Sequence, residues 1–139
     1  MKIVVNRCFG GFGLSHKAIM RYAELKNIAL YLITEVIDGN GSIDFTKFRY
    51  CEYDENDIFG NYYITEPLLK NGGYKEKSWF SHRDIKRDDS ILVQVVEELG
   101  ADANGMCADL DITEIPDGIE WEIEEYDGRE WISESHRTW

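Results

Sequence analysis

Residues 2–26 read KIVVNRCFGGFGLSHKAIMRYAELK and predict a strand, a turn and a helix in succession. Residues 2–8 are rich in β-branched side chains and are bounded by glycine, which predicts a buried strand. Ser15 is a typical N-cap residue, and apolar residues then recur at helical spacing, so a helix is predicted over about residues 16–26. Asn27 is suited to end this helix.

The glycine-rich turn between strand and helix has two interpretations, and the sequence leaves both open. Glycine permits a positive φ, so the turn can be purely structural. A helix N-terminus also attracts anions, because its N–H groups and its dipole present positive charge. The spacing matches neither GxGxxG nor GxxxxGK[ST], which argues against dinucleotide-binding and P-loop motifs. In the anion-site interpretation the ligand-binding residues of this region are Arg7, Gly10, Gly11, Phe12, Gly13 and Ser15.

Length and composition predict a single globular domain over residues 1–139. The chain is long enough for one hydrophobic core, and 43% of its residues are hydrophobic despite a net charge of −12. No run approaches the roughly 20 apolar residues of a membrane span, and the N-terminal apolar run is too short for a signal peptide. Three cysteines without a CxxC pair predict reduced thiols. We therefore expect a cytoplasmic protein without a membrane partner, a metal or a cofactor.

The order of the remaining elements predicts an α+β fold. Residues 28–37 and 43–53 are β-rich and separated by a Gly-Asn-Gly break, which favours a hairpin or two neighbouring strands. A cluster of N-cap residues precedes a helical pattern over about residues 90–99, and Gly100 is suited to end that helix. Residues 110–115 alternate as a strand. Since regular βαβ alternation is missing, we expect one mixed or mainly antiparallel sheet with two helices packed on it.

The last predicted element is a C-terminal β-hairpin. The Asp-Gly pair at 127–128 is typical of a two-residue turn, but that register places Glu125 opposite Glu130, and opposed like charges are unfavourable. A three-residue loop over 126–128 pairs Glu125 with Arg129 instead, so we predict this loop. It turns inward Trp121, Ile123, Trp131 and Ser133, and it turns outward Glu120, Glu122, Glu124, Glu130 and Glu134.

Charge is distributed unevenly along the chain. Residues 101–139 hold twelve acidic and two basic residues, and so carry −10 of the net −12. Residues 81–88, SHRDIKRD, contain Arg83 and Arg87 four positions apart, where they can form a clamp for phosphate or carboxylate. The same arginines can instead pair with the acidic C-terminal segment. A net charge of −12 argues against direct binding of nucleic acid.

The final residues supply two further candidates for a ligand site. His136 can line a pocket, and Trp139 can stack on a base or pack into the core. The three histidines are too scattered in the sequence to predict a metal site, and no Ser/His/Asp or Cys/His spacing predicts a nucleophile. We therefore assign no catalytic residue and no metal ligand.

Three segments carry a resemblance to a known family: NRCFGGFGLSHKA, KRDDSILVQVVEELG and EIPDGIEWEIEEYDGREWISESHRTW. They resemble a family of small uncharacterised proteins of tailed bacteriophages and prophages, and the similarity covers about half of the chain. The resemblance implies a phage origin and the host cytoplasm. It also implies a context, because small phage proteins often counter host defence.

The leading functional prediction is a non-enzymatic protein that binds a small phosphate-bearing ligand, in particular a nucleotide signal sequestered from host defence. The first alternative is an acidic interaction protein, or nucleic-acid mimic, that blocks a host defence protein. The second is a hydrolase of phosphate esters. A second copy of the chain is a further candidate partner.

Overall fold

The structure, a computed structural model, describes residues 1–54 and 61–134, with Phe45 described by its backbone alone. The α+β class, the two helices and the C-terminal hairpin are confirmed. The described helices are α1 (His16–Lys26) and α2 (Ser90–Leu99). The described strands are β1 (Lys2–Asn6), β2 (Tyr31–Ile37), β3 (Ile43–Tyr50), β4 (Tyr62–Ile64), β5 (Trp79–Phe80), β6 (Leu110–Glu114), β7 (Trp121–Tyr126) and β8 (Arg129–Glu134).

The described strands form three antiparallel sheets where one sheet was predicted. The sheets have the strand orders β1-β6, β3-β2-β4-β5 and β7-β8. The pair β1-β6 joins two segments that are far apart in the sequence, with Lys2 opposite Glu114 and Asn6 opposite Leu110. Such pairing depends on contacts between residues far apart in sequence, which local patterns do not encode.

The chain divides into two compact units. Unit 1 comprises Met1–Lys26 together with the described residues from His82 onward, and unit 2 comprises the described residues of Asn27–Ser81. The prediction of one domain over residues 1–139 stays a prediction. Among the described residues, no helix is long and apolar enough to cross a membrane.

The core of unit 1 is aliphatic. Strand β1 contributes Ile3, Val4 and Val5, and α2 contributes Leu92 and Val95, all five without exposed surface. Helix α2 packs on β1 and β6, α1 packs on α2, and β8 lies beside β1. Burial of these side chains removes apolar surface from water and stabilises the arrangement.

Both helices of unit 1 begin and end where the sequence predicts. Ser15 Oγ accepts a hydrogen bond of 3.1 Å from the N–H of Ala18, which caps α1. Asn27 follows α1 with a φ of +59°. The Asp89 side chain caps α2 by accepting from two N–H groups of its first turn, and Gly100 follows α2 with a φ of +56°.

Unit 2 is built on aromatic side chains. One face of the β3-β2-β4-β5 sheet carries Ile33 and Ile64, which have no exposed surface. Beside them lies a ring cluster in which each aromatic ring contacts two others, with centroids 5.1 to 6.1 Å apart. The cluster consists of Phe48, Tyr62, Tyr74 and Trp79.

The predicted three-residue hairpin loop is wrong. Strands β7 and β8 pair in the two-residue register, with Glu125 opposite Glu130 and Ile123 opposite Ile132. Asp127 and Gly128 have φ values of +50° and +88°, as a type I′ turn requires. The predicted faces of β8 are wrong as well, because Glu130 is buried and Trp131 is exposed, whereas Glu122 and Glu124 of β7 are exposed as predicted. The buried carboxylate of Glu130 is stabilised because the guanidinium of Arg87, just before α2, binds it.

Candidate functional site

A cavity of about 500 Å³ lies in unit 1 between the glycine-rich turn, the segment before α2 and the hairpin. Its volume falls within the range of small-molecule sites, roughly 300 to 1,000 Å³. Five of the ten predicted ligand-binding residues line it: Gly10, Gly11, Phe12, Arg83 and Arg87. The hairpin contributes four residues that the sequence analysis did not assign to the site: Glu125, Asp127, Gly128 and Glu130.

The glycine-rich turn packs backbone against backbone on the hairpin turn. The N–H of Gly10 donates to the carbonyl of Asp127 over 3.1 Å. A Cβ atom built on Gly128 would lie 2.2 Å from the nitrogen of Gly11, a distance that no side chain tolerates. Gly10 and Gly11 have φ values of +126° and +101°. The turn therefore uses its glycines for conformation and for close approach, as the structural interpretation requires.

Two residues of the predicted anion site face other parts of unit 1. Ser15 Oγ donates to the carbonyl of Asp102 in addition to capping α1. The carbonyl of Gly13 accepts from the N–H of Gly105, and neither Gly13 nor Ser15 lines the cavity. The first turn of α1 therefore contributes no lining residue.

Arg87 and Glu130 form a buried ion pair at the cavity wall. The two guanidinium nitrogens of Arg87 lie 2.6 and 2.9 Å from the two carboxylate oxygens of Glu130. The two side chains are 18% and 7% exposed, so water screens the pair little. The N–H of Asn6 also donates to Glu130, over 2.8 Å. The interpretation that Arg87 pairs with the acidic C-terminal segment is thereby confirmed.

The ring of Phe12 contacts the side chains of Arg87 and His82. The guanidinium carbon of Arg87 lies 3.5 Å from the centre of the Phe12 ring, a cation–π contact. The ring of His82 lies 6.0 Å away on a tilted plane. Burial, and then the charges of Arg83 and Arg87, lower the pKa of His82, which favours its neutral form.

Arg83 is exposed and lines the cavity. It belongs to the short 3-10 turn His82–Asp84, which precedes α2. Glu125 and Asp127, on the hairpin, are exposed as well. The exposed side chains of Arg83, Glu125 and Asp127 therefore line the cavity, and Arg87 and Glu130 bind one another in its wall.

Arg7 does not line the cavity. Its guanidinium donates to Thr113 over 2.8 Å and pairs with Asp111 over 3.4 Å, both on β6. It also reaches the carbonyl of Glu130 over 3.4 Å. His136 and Trp139 lie outside the described residues, and their predicted roles stay predictions.

One signal in the sequence pointed to the missed hairpin residues. The two-residue register places Glu125 opposite Glu130, and two opposed carboxylates repel one another. This repulsion indicates that one of the two carboxylates requires a cation from elsewhere in the chain. Asn6, which has no exposed surface, carried no such signal: its side-chain amide donates to the carbonyls of Cys8 and Gly128 over 2.7 Å each.

The comparisons with known proteins find nothing similar to this chain: no family model, no curated protein and no solved structure matches it. Within the described residues, no group of three or more histidine, cysteine or acidic side chains could hold a metal ion. The resemblance to phage and prophage proteins stays a prediction.

Proposed function

We propose that the protein binds a small phosphate-bearing ligand, a nucleotide, in the cavity of unit 1. One observation carries the proposal. Arg83 and Arg87 follow the glycine-rich turn by about seventy residues in sequence, yet they line the same cavity as Gly10, Gly11 and Phe12. A cavity with an exposed guanidinium and adjacent backbone is suited to an anionic group.

The two arginines have different roles in this proposal. Arg87 is bound by Glu130 and stacked on Phe12, so it holds the wall of the cavity in place. Arg83 is the exposed cation of the lining, and it contacts the phosphate. A guanidinium binds phosphate through two parallel hydrogen bonds, which a lysine ammonium does not provide.

The carboxylates of Glu125 and Asp127 favour a nucleotide over inorganic phosphate. They repel a bare anion, but they accept hydrogen bonds from the amino groups of a base or the hydroxyls of a ribose. A nucleotide has a phosphate at one end, which Arg83 can bind. At its other end it has hydrogen-bond donors, which Glu125 and Asp127 can bind. Inorganic phosphate meets only the cation and should bind more weakly.

Base stacking on Phe12 receives little support from the geometry. Its side chain is 9% exposed, and Arg87 covers its ring. We therefore assign recognition of the base to the hairpin carboxylates, Glu125 and Asp127.

The proposal extends to the setting that the resemblance to phage and prophage proteins implies. In the host cytoplasm of a phage infection, a protein of this kind would sequester a nucleotide signal from host defence. Binding without turnover distinguishes it from the alternative, a hydrolase of phosphate esters. We assign neither a nucleophile nor a general base among the residues that line the cavity.

Isothermal titration calorimetry with mono-, di- and triphosphate nucleotides, cyclic dinucleotides and inorganic phosphate tests the proposal. We expect at least one nucleotide to bind more tightly than inorganic phosphate. Arg83→Gln should weaken that binding about tenfold or more, because a charge-assisted hydrogen bond is lost. Lys86→Gln is the matched control, since Lys86 is an exposed cation of the same segment that does not line the cavity.

Two outcomes would overturn the proposal. One is the absence of nucleotide binding tighter than millimolar, and the other is an equal effect of Arg83→Gln and Lys86→Gln. Chromatography of the ligand after incubation separates binding from hydrolysis: recovery of intact nucleotide supports the binder, and its conversion supports the phosphate-ester hydrolase.

A further inference from the structure

The two faces of the hairpin β7-β8 are chemically different. Side chains alternate along a strand, and directly opposed residues of an antiparallel pair share a face. Glu125 and Glu130 therefore lie on the face that lines the cavity. The opposite face, called the outer face here, consists of Glu122, Glu124, Tyr126, Arg129, Trp131 and Ser133.

The outer face exposes large aromatic side chains next to carboxylates. Tyr126 is 73% exposed and Trp131 is 40% exposed, although aromatic rings of this size are normally buried. Glu122 and Glu124 are exposed as well. The indole N–H of Trp131 donates to Glu124 over 3.0 Å, which holds the ring beside a carboxylate.

We propose that the outer face is a docking surface for an arginine-rich, basic segment of a partner protein. A guanidinium can stack on the exposed face of Trp131 or Tyr126 and donate at the same time to Glu122 or Glu124. Enrichment in aromatic side chains is characteristic of the energetically important centres of protein interfaces. The two carboxylates, Glu122 and Glu124, outnumber the one cation of this face, Arg129, and so favour a positively charged partner.

Charge complementarity selects a basic protein over the other polymers of a cell. The segment 101–139 holds twelve acidic and two basic residues, so nucleic acid and anionic membrane surfaces are repelled. A basic protein segment is attracted, and the rate of encounter with it is raised. This surface is separate from the cavity, so the inference does not depend on nucleotide binding.

Fluorescence anisotropy with labelled oligo-arginine and oligo-lysine peptides of equal length tests the inference. The wild-type protein should bind oligo-arginine more tightly than oligo-lysine, because only guanidinium stacks well on the rings. Glu122→Gln with Glu124→Gln should weaken binding of oligo-arginine about fivefold.

The matched control is Asp109→Asn with Glu114→Gln, which removes the same two charges at exposed positions of unit 1 outside the hairpin. It should change the affinity by less than about twofold, as expected of screened charges away from the contact. Equal weakening by the two double variants would show a response to net charge alone and would overturn the inference.

The contribution of Trp131 and Tyr126 to binding is measured by the preference for oligo-arginine over oligo-lysine. Trp131→Leu should abolish the preference for arginine over lysine, with circular dichroism as the check on folding. Tyr126→Ser changes the more exposed ring and should reduce the same preference without risk to the fold. An unchanged preference in both variants would reject the docking surface. A nucleotide titration of the Glu122→Gln, Glu124→Gln protein should match the wild type, which keeps the two proposals distinguishable.

Discussion

Units 1 and 2 use their buried polar groups differently. In unit 1, Asn6 and Glu130 are buried and bonded to each other although 124 positions separate them in sequence. In unit 2, Ser78 is buried and its hydroxyl donates to the carbonyl of Lys75, three positions away. Long-range polar contacts hold the walls of a cavity in one geometry, whereas a local one stabilises only its own turn.

Glu130→Ala should have the largest effect, because it leaves the largely buried guanidinium of Arg87 without its carboxylate partner. Breaking a buried ion pair in this way costs about 3 to 5 kcal/mol of unfolding free energy. Urea denaturation followed by circular dichroism measures it. Glu125→Ala is the matched control, since Glu125 lies directly opposite but is exposed, and it should change stability by less than about 0.5 kcal/mol.

Equal losses of unfolding free energy in Glu130→Ala and Glu125→Ala would show that the ion pair contributes no more than a surface charge. Long-range polar contacts would then not distinguish unit 1 from unit 2. A large loss confined to Glu130→Ala would support that distinction.

Gly128→Ala comes second and tests the close approach of the two turns. A methyl group here meets the backbone of Gly10 and Gly11, and the φ of +88° is unfavourable for alanine. We expect a loss of about 2 to 4 kcal/mol from overpacking and the left-handed backbone together. Thermal denaturation and urea titration both report it.

Gly118→Ala separates these two causes. Gly118 has a similar φ of +81°, but a Cβ atom built on it meets nothing within 4 Å. Gly118→Ala should lower the free energy of unfolding by about 1 to 2 kcal/mol, because only the left-handed backbone conformation disfavours alanine there. If the two variants were equally stable, contact between the turns would not contribute to the stability of unit 1.

Tyr62→Phe should have the smallest effect and concerns unit 2. Its hydroxyl donates to the carboxylate of Glu35, so the substitution should cost about 1 kcal/mol at pH 7. The hydrogen bond to Glu35, and then burial, raise the pKa of Tyr62 to about 12. A raised pKa means that folding favours the neutral phenol, so this stabilisation is complete below pH about 10 and is lost as the pH rises through 12.

The measurement is the free energy of unfolding of wild type and Tyr62→Phe between pH 8 and the highest pH at which both fold. The difference should shrink as the pH rises above about 10. Tyr74→Phe, a ring of the same cluster, is the matched control. A pH-independent difference for Tyr62→Phe would show that Glu35 does not control the titration of Tyr62.

Local elements were predicted well because their signals are local. Ser15 and Asp89 are N-cap residues whose side chains bond to N–H groups two or three positions ahead, so sequence spacing alone predicts where α1 and α2 begin. The same holds for Asn27 and Gly100 at the helix ends. The Asp-Gly pair at 127–128 also indicated the correct two-residue turn, although the opposed charges of Glu125 and Glu130 favoured a three-residue loop.

About half of the candidate site could be predicted. Gly10 to Phe12 and the two arginines have residue types that favour an anion, and all five line the cavity. Glu125, Asp127 and Glu130 were missed because carboxylates on an alternating strand or in a hairpin turn are typical of a solvated surface. Glu130 is an interior residue because Arg87 and the N–H of Asn6 both lie beside β8 and bind its carboxylate.

The sequence by itself determined the helices with their caps, the presence of a C-terminal hairpin and the α+β class, because each depends on side chains within a few positions of one another. The tertiary structure decided the three sheets, the buried pair Arg87–Glu130 and the cavity. These depend on which distant segments meet, and a carboxylate is stable in the interior only when the fold brings it a cation and an N–H donor.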